Sequence, residues 1–98
     1  MIKRVPSKNA TSFQVTFELP PEVNAQTAFL CGEFNDWDTQ SLPMKRRKDG
    51  GFSVKLSLKP GKAYRFRYFL DGERWENDWD ADDYVQNSLG SMDSVIQL

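Results

Sequence analysis

The chain has 98 residues, a formal net charge of −1 and no histidine. This length predicts a single domain spanning residues 1–98, since chains split into several domains only at larger sizes. Without histidine the chain has no His-based triad and no side chain whose ordinary pKa lies near neutrality. Its single cysteine, Cys31, excludes an internal disulfide and a thiolate zinc site. We therefore expect no catalytic residue, no metal site and no cofactor.

The sequence carries no signal for export or membrane insertion. Its basic start is not followed by the apolar stretch of a secretory signal. The longest purely apolar run, Ala28–Cys31, is far shorter than the roughly 18–20 residues of a membrane span. We therefore expect a cytoplasmic protein, in keeping with its lone thiol. The small net charge also predicts no general attraction to nucleic acid or to a membrane surface.

Apolar and polar side chains alternate through most of the chain, which predicts half-buried β-strands. In chain order, such segments cover residues 13–19, 52–58 and 64–70. Residues 27–34 are more continuously apolar, as is typical of a central strand covered on both faces. Here Cys31 is expected to be a small buried apolar side chain. Residues 94–98 resemble a closing edge strand.

Turn signals separate these segments. Asp49-Gly50 and Asp71-Gly72 are each flanked by alternating apolar residues, the strongest short-range signal for a β-hairpin. No helical periodicity of ten or more residues and no internal repeat occurs in the sequence. Short strands at about 8–15 residue spacing predict an all-β sandwich of about seven strands.

The three tryptophans of the chain lie outside the strand positions that face a core. Trp37 follows a strand among polar turn residues, Trp75 follows the Asp71-Gly72 turn, and Trp79 lies in an acidic stretch. A surface aromatic ring beside amides and carboxylates can stack on the apolar C–H face of a sugar. The alternative is that each ring fills the core. For Trp37 and Trp75 both interpretations are open.

Two basic features of the sequence bear on its function, a strand arginine and a basic cluster. Arg67 alternates with apolar residues on its strand, so its guanidinium points away from the core, where its five donors can chelate neighbouring sugar hydroxyls. A solvent-facing strand arginine is the alternative. The cluster Lys45–Lys48 precedes a turn, and without further basic stripes or interleaved aromatics it predicts an exposed hairpin end.

The segment 71–84 holds seven acidic side chains and one basic one. Its aspartates at positions 78, 80 and 82 alternate as in an EF-hand loop. That template requires a glycine where Asp83 stands and a glutamate where Leu89 stands. A solvated acidic loop is therefore expected instead of a calcium site. The spacing also selects no carboxylate pair of the kind that glycosidases use.

Several motifs in a fixed order resemble a known family. They are Gly32-Glu33-Phe34-Asn35-Asp36-Trp37, Pro43-Met44, Gly51-Phe52, Tyr64–Gly72, Trp75, Leu89-Gly90 and Val95-Ile96. From about Thr11 to Leu98, the chain is similar to the early-set, isoamylase N-terminal-like domains grouped as the family-48 carbohydrate-binding modules. The pattern of the glycogen-binding domain of the AMP-activated protein kinase β subunit is especially similar. The resemblance implies an immunoglobulin-like sandwich of the early-set type that binds α-1,4-linked glucans such as glycogen or starch.

The resemblance also implies a set of carbohydrate-binding residues. Trp37 and Trp75 match the two stacking platforms of the family, and Arg67 stands where the family has a hydroxyl-binding lysine. Leu89 matches the residue that pushes into the curved sugar chain. Ser91 matches a small hydroxyl-bearing neighbour.

Two positions depart from the family pattern. Asp93 is also in the implied site, where the kinase-subunit pattern has an asparagine, so a carboxylate that only accepts hydrogen bonds replaces an amide. Trp75 comes one residue later after the Asp-Gly turn. The function implied is a non-catalytic binding module whose partner is an α-glucan. The alternative is a docking domain that recruits or regulates a glycogen-metabolising enzyme without binding sugar itself.

Overall fold

The computed structural model describes residues 2–9 and 11–98, so Met1 and Ala10 of the expected domain lie outside the described residues. The described residues form nine β-strands and two short 3₁₀ turns, Pro21–Val23 and Glu33–Asn35. The strands are β1 (Ile2–Pro6), β2 (Phe13–Leu19), β3 (Ala28–Gly32), β4 (Lys45–Arg46), β5 (Phe52–Leu58), β6 (Ala63–Leu70), β7 (Arg74–Glu76), β8 (Asp83–Gln86) and β9 (Met92–Gln97). None of the described residues belongs to a helix able to cross a membrane.

The strands pair antiparallel in two sheets. The first sheet has the order β1-β2-β5-β4, and the second has the order β3-β6-β9-β8, with β7 paired to β6. Alternation along each strand sends one set of side chains between the sheets. Phe17 of the first sheet meets Phe66 of the second edge to face, with ring centroids 5.0 Å apart. This architecture confirms the predicted all-β sandwich.

The predicted hairpins at Asp49-Gly50 and Asp71-Gly72 are present, joining β4 to β5 and β6 to β7. The count of about seven strands was low because short strands have too few residues to show an alternation. β4 has two residues and β7 has three, and β1 and β8 have mostly exposed side chains. Such strands form because neighbouring strands supply their hydrogen-bond partners.

The prediction of a central strand over residues 27–34 was wrong in position. β3 lies at the edge of the second sheet, and a loop covers part of that edge. Leu30 donates its N–H to the carbonyl of Leu42 at 3.0 Å, and Met44 donates to the carbonyl of Ala28 at 2.9 Å. Leu30 and Cys31 are both fully buried, although their side chains point to opposite faces. The continuous apolar pattern therefore reports burial of both faces, which an edge strand also achieves when it is covered.

The prediction of an edge strand at the C-terminal end was also wrong. β9 lies inside the second sheet, between β6 and β8. The strand that covers it, β8, has the sequence Asp83-Tyr84-Val85-Gln86, with too little apolar alternation to be recognised. Ser94 and Ile96 of β9 are fully buried, and Ile96 belongs to the core cluster.

The outer face of the second sheet, which points away from the core, is organised around β6. β3 pairs with one edge of β6 and β7 with the other, so that Phe69 lies opposite both Phe29 and Trp75. One step along, Arg67 lies opposite Cys31. The outward side chains of three strands thus share one surface.

Candidate functional site

A concavity of about 510 Å³ lies on the outer face of the second sheet. Five of the six predicted site residues line it: Trp37, Arg67, Trp75, Leu89 and Asp93. The sixth, Ser91, is exposed and is not among the lining residues. Residues that are up to 56 positions apart in the sequence (37 to 93) are therefore brought together by the fold.

A compact turn at the end of β3 holds Trp37. Trp37 donates its N–H to the carbonyl of Gly32 at 2.9 Å. The Asn35 side chain accepts the N–H of Gly32 at 2.9 Å and donates to the hydroxyl of Ser41 at 3.0 Å. Asp36 and Trp37 both have left-handed backbones, with φ of 53° and 59°. This conformation is costly for a bulky residue and persists only where the surrounding bonds over-determine it.

Trp75 is carried by β7 and points outward. Its ring centroid lies 4.6 Å from that of Phe69, and the Arg67 guanidinium carbon lies 5.0 Å from the indole ring. Despite these contacts, 42% of the residue stays exposed. Trp75 is therefore supported by its neighbours without belonging to the core. Trp37, which is half-buried, is likewise outside the core cluster.

Asp93 places a carboxylate between two arginines at the base of the concavity. It is 5% exposed. Its two oxygens lie 3.9 Å from a guanidinium nitrogen of Arg65 and 4.0 Å from one of Arg67. The amide of Asn87 also donates to Asp93 at 3.1 Å. The buried charge is thus compensated from three sides, as burial of a carboxylate requires.

Asn87 connects this base to the loop that presents Leu89. Its side-chain oxygen accepts the N–H of Leu89 at 2.9 Å and the N–H of Ser91 at 3.1 Å. Gly90 lies between them with φ of 85°, a conformation that glycine adopts without strain. The loop therefore holds Leu89 with 90% of its surface exposed. An apolar side chain held so far into water is available for contact with a ligand.

Four further residues line the concavity that the sequence reasoning did not select. They are Glu33, Arg65, Asn87 and Ser88. Arg65 was detectable, because it has the same alternation on β6 as Arg67. Glu33 accepts the backbone N–H of Arg65 at 2.7 Å, a contact between distant segments that no local pattern reveals.

The seven acidic side chains of segment 71–84 do not line the concavity, and all but one of them are exposed or half-buried. Asp78 is only 1% exposed, and Tyr68 donates its hydroxyl to this carboxylate at 2.7 Å. Burial and the adjacent carboxylate raise the pKa of Tyr68 well above its usual value. Within the described ranges, no three His, Cys, Asp or Glu side chains are grouped so that they could hold a metal ion.

Cys31 lies in the sheet beside the site with no exposed surface, confirming the expected buried apolar role. Burial, with a smaller effect from Asp38, raises the pKa of its thiol to about 11. The thiolate, which is the reactive form, is therefore scarce at neutral pH.

The sequence matches one protein-family model and is similar to segments of two known proteins. Residues 22–98 match the family model described as the glycogen recognition site of AMP-activated protein kinase. Over 44 residues, 44% of this chain, the sequence is 50% identical to the 1,4-alpha-glucan branching enzyme GlgB of Lactobacillus acidophilus. Over 55 residues, 56% of this chain, it is 40% identical to the chloroplastic Protein PTST homolog 2 of Arabidopsis thaliana. These matches cover 7% and 10% of the two relatives, so the chain spans only a small part of their length.

The matched family and the observed sandwich agree with each other. The family match covers more than three quarters of the chain, including all six predicted site residues. The chain therefore belongs to the glycogen-recognition family of non-catalytic carbohydrate-binding modules for α-glucans.

Proposed function

We propose that this domain binds an α-1,4-linked glucan in the concavity of the second sheet. The observation that carries the proposal is that Trp37, in the turn after β3, and Trp75, on β7, line one concavity together with Arg67 of β6, the strand that β3 and β7 both pair with. Two aromatic rings flanking a multiple hydrogen-bond donor suit a ligand with apolar C–H faces and ring hydroxyls.

Each residue has a distinct contact in this proposal. Trp37 and Trp75 stack on successive glucose units. Arg67, supported by the Trp75 ring, donates to neighbouring hydroxyls through its planar guanidinium. Leu89 inserts against the inner side of the curved chain. Ser91, whose N–H is bonded to Asn87 at the end of the same loop, contacts only a longer chain through its hydroxyl.

In the same proposal Asp93 acts mainly through its neighbours. Its carboxylate orients Arg65 and Arg67 and holds Asn87, which in turn holds the loop of Leu89. Because its surface is almost entirely covered, little of it is available to accept a hydroxyl directly. We therefore classify Asp93 as a positioning residue.

The charge of the concavity favours a neutral ligand. Its lining includes two arginines and two acids, Arg65, Arg67, Glu33 and Asp93, so their formal charges cancel. A site built for phosphorylated sugars would have an excess of positive charge. Neutral glucan hydroxyls can use both the donors and the acceptors.

We also propose that residues 1–98 form a single domain that acts in the cytoplasm and has no catalytic activity. The sequence has no histidine, and two acids, Glu33 and Asp93, line the concavity. Glu33 is already bonded to the backbone of Arg65, and Asp93 is covered. An additional partner in this proposal is a glycogen-metabolising enzyme.

The test is a paired measurement on Trp37→Ala, Trp75→Ala and Arg67→Ala. Each tryptophan variant should weaken binding of a maltooligosaccharide by about 1–3 kcal/mol, as expected for an aromatic hot spot. Arg67→Ala should cost about 1–2 kcal/mol of binding. Titration calorimetry gives these affinities, and thermal melts should show only small losses of stability.

The control is Val5→Ser, at a residue that is 60% exposed on β1 of the other sheet. It should change neither binding nor melting. If a tryptophan variant instead loses about 3–5 kcal/mol of folding free energy, that ring is a core residue and its platform role is wrong. If the natural chain binds no glucan at all, the domain is a docking domain and the proposed function is wrong.

A further inference from the structure

We propose that Trp79 forms a second glucan contact on the opposite side of β7 from the concavity. The choice of ligand class rests on the proposed function, but the site is separate from it. Trp79 is 56% exposed, more than Trp75 at 42%, and it does not line the concavity. It is the one tryptophan of the chain that the site described above does not use.

The direction of Trp79 follows from the alternation of β7. Trp75 lies opposite Phe69 and points outward, whereas the next residue, Glu76, lies opposite Tyr68, whose side chain points inward. The indole N–H of Trp79 donates to the Glu76 carboxylate at 3.3 Å. The hydrogen bond therefore puts Trp79 on the Glu76 side of the strand, whereas Trp75 is on the other side and lines the concavity.

A buried polar network fixes the turn that carries Trp79. The preceding residue, Asp78, accepts the hydroxyl of Tyr68 at 2.7 Å through its carboxylate, and its N–H donates to the hydroxyl of Ser94 at 2.9 Å. Tyr84 donates its hydroxyl to the Asp78 carbonyl at 2.6 Å. The exposed ring thus stands on an ordered backbone. A ring held in place before binding loses less entropy when a ligand stacks on it.

The surroundings of this ring favour a neutral polyhydroxylated ligand. Glu76 accepts the hydrogen bond of the indole N–H, Asp80 is the next residue after Trp79, and Asp83 begins β8, the next strand along the chain. Among the ion pairs of the described residues, none involves these three acids. Carboxylates accept hydrogen bonds from sugar hydroxyls and repel phosphate, nucleic acid and anionic lipid.

A second contact would make the domain bivalent for a branched polymer. One chain of the glucan would occupy the concavity, while another would stack on Trp79. Binding of the second chain is then intramolecular, which raises the overall affinity for the polymer without strengthening the contact with a short oligosaccharide.

The direct test uses Trp79 as its own reporter. In the double variant Trp37→Phe/Trp75→Phe, Trp79 is the single tryptophan left of the natural three. Titration with maltoheptaose should change its fluorescence in a saturable way, and the same titration with a non-carbohydrate polyol should not. A response to a lysine-rich peptide without a response to maltoheptaose would identify a protein-docking surface and overturn the proposal. If neither maltoheptaose nor the peptide changes the fluorescence of Trp79, the proposal is overturned as well.

A second measurement uses the otherwise natural chain. Trp79→Ala should reduce retention by glycogen in an affinity gel by about tenfold or more, the scale of a lost second contact. Its melting temperature and its affinity for maltoheptaose in the concavity should stay close to those of the Val5→Ser control. If glycogen retains Trp79→Ala as strongly as it retains the natural chain, the proposal of a second contact is wrong, while the proposed function stands. If Trp37→Ala and Trp75→Ala leave maltoheptaose binding unchanged while the reporter variant responds, the concavity assignment is wrong and the Trp79 site stands.

Discussion

Asp93 stands where the resemblance to the kinase-subunit pattern implies an asparagine. An asparagine there would bring an amide donor, whereas the carboxylate faces Arg65 and Arg67 at 3.9 and 4.0 Å. The negative charge of Asp93 is balanced by Arg65 and Arg67, which lie on the same face of β6. The two arginines and the aspartate are thus best understood as one unit.

We predict that Asp93→Ala lowers both stability and glucan affinity. Removal of the carboxylate leaves the Asn87 amide without its acceptor and two arginines without their counter-charge, which should cost about 1–3 kcal/mol of folding free energy. Because Asn87 then holds the Leu89 loop less firmly, maltooligosaccharide affinity should fall several-fold. Chemical denaturation and calorimetry measure the two effects.

Asp93→Asn is the matched variant, since its side-chain oxygen can still accept from Asn87. Its losses should be smaller than those of Asp93→Ala in both measurements. Equal stability and equal binding for the alanine variant and the natural chain would show that Asp93 positions nothing.

At the scale of elements, the end of β3 is pressed against β6. An added Cβ at Gly32 would lie 2.6 Å from the Arg65 carbonyl oxygen and 2.9 Å from the Phe66 Cβ. Both distances are far shorter than van der Waals contact. The Arg65 carbonyl is a backbone group, so it cannot relieve the clash by rotating to another rotamer. The close approach of these two strands sets the position of the turn that carries Trp37.

Gly32→Ala should therefore destabilise the domain and disturb the site together. Overpacking of a well-packed interior costs about 1–3 kcal/mol. The displaced strand end should also lower glucan affinity, although Gly32 does not line the concavity. Ser57→Ala, on an exposed position of β5, serves as the control and should alter neither property. A variant with natural stability would mean that the two strands separate freely at this point.

For the whole molecule, hydrogen bonding sets the acid limit of stability. Asp71 accepts the backbone N–H groups of Gln26 and Thr27 at 2.7 and 3.1 Å, which lowers its pKa. The pKa of Asp82 is lowered by its hydrogen bonds from Arg4. A carboxyl whose folded pKa lies below its ordinary value of about 3.9 stabilises the fold above that value. That stability is lost as the pH falls through the folded pKa.

Burial sets the alkaline limit. The pKa of Tyr68 is raised above its ordinary value of about 10, and that of Cys31 is raised to about 11. Groups with raised pKa values stabilise the fold below their ordinary pKa, and this contribution disappears as the pH rises. For Cys31 the loss begins above about pH 8.5 and for Tyr68 above about pH 10.

We predict a melting temperature that is level between about pH 5 and pH 8.5 and falls on both sides. Thermal melts from pH 2 to pH 11 measure the profile. Asp71→Asn should make the acid decline shallower, because an amide oxygen accepts from the same N–H groups at every pH. An acid decline of unchanged steepness in this variant would exclude Asp71 as a cause.

Much of the fold and part of the site were predictable because they depend on local patterns. Alternation in β2, β5 and β6 determined which side chains enter the core, and the same alternation turned Arg67 outward. The two Asp-Gly turns determined their hairpins through glycine's access to positive φ, 92° at Gly50 and 69° at Gly72. For Trp37 the turn residues left two interpretations open, and the structure places its ring outside the core cluster.

Only the tertiary structure decided the features that join distant segments. β8 is a strand because β9 offers it hydrogen bonds, and β3 lies at an edge because the loop of Leu42 closes it. The burial of Asp78 required a hydroxyl from Tyr68, ten residues earlier. The sequence determined the chemistry available at each position. The set of side chains that line one concavity depends on the pairing of distant strands and on packing. No local pattern in the sequence specifies those partners.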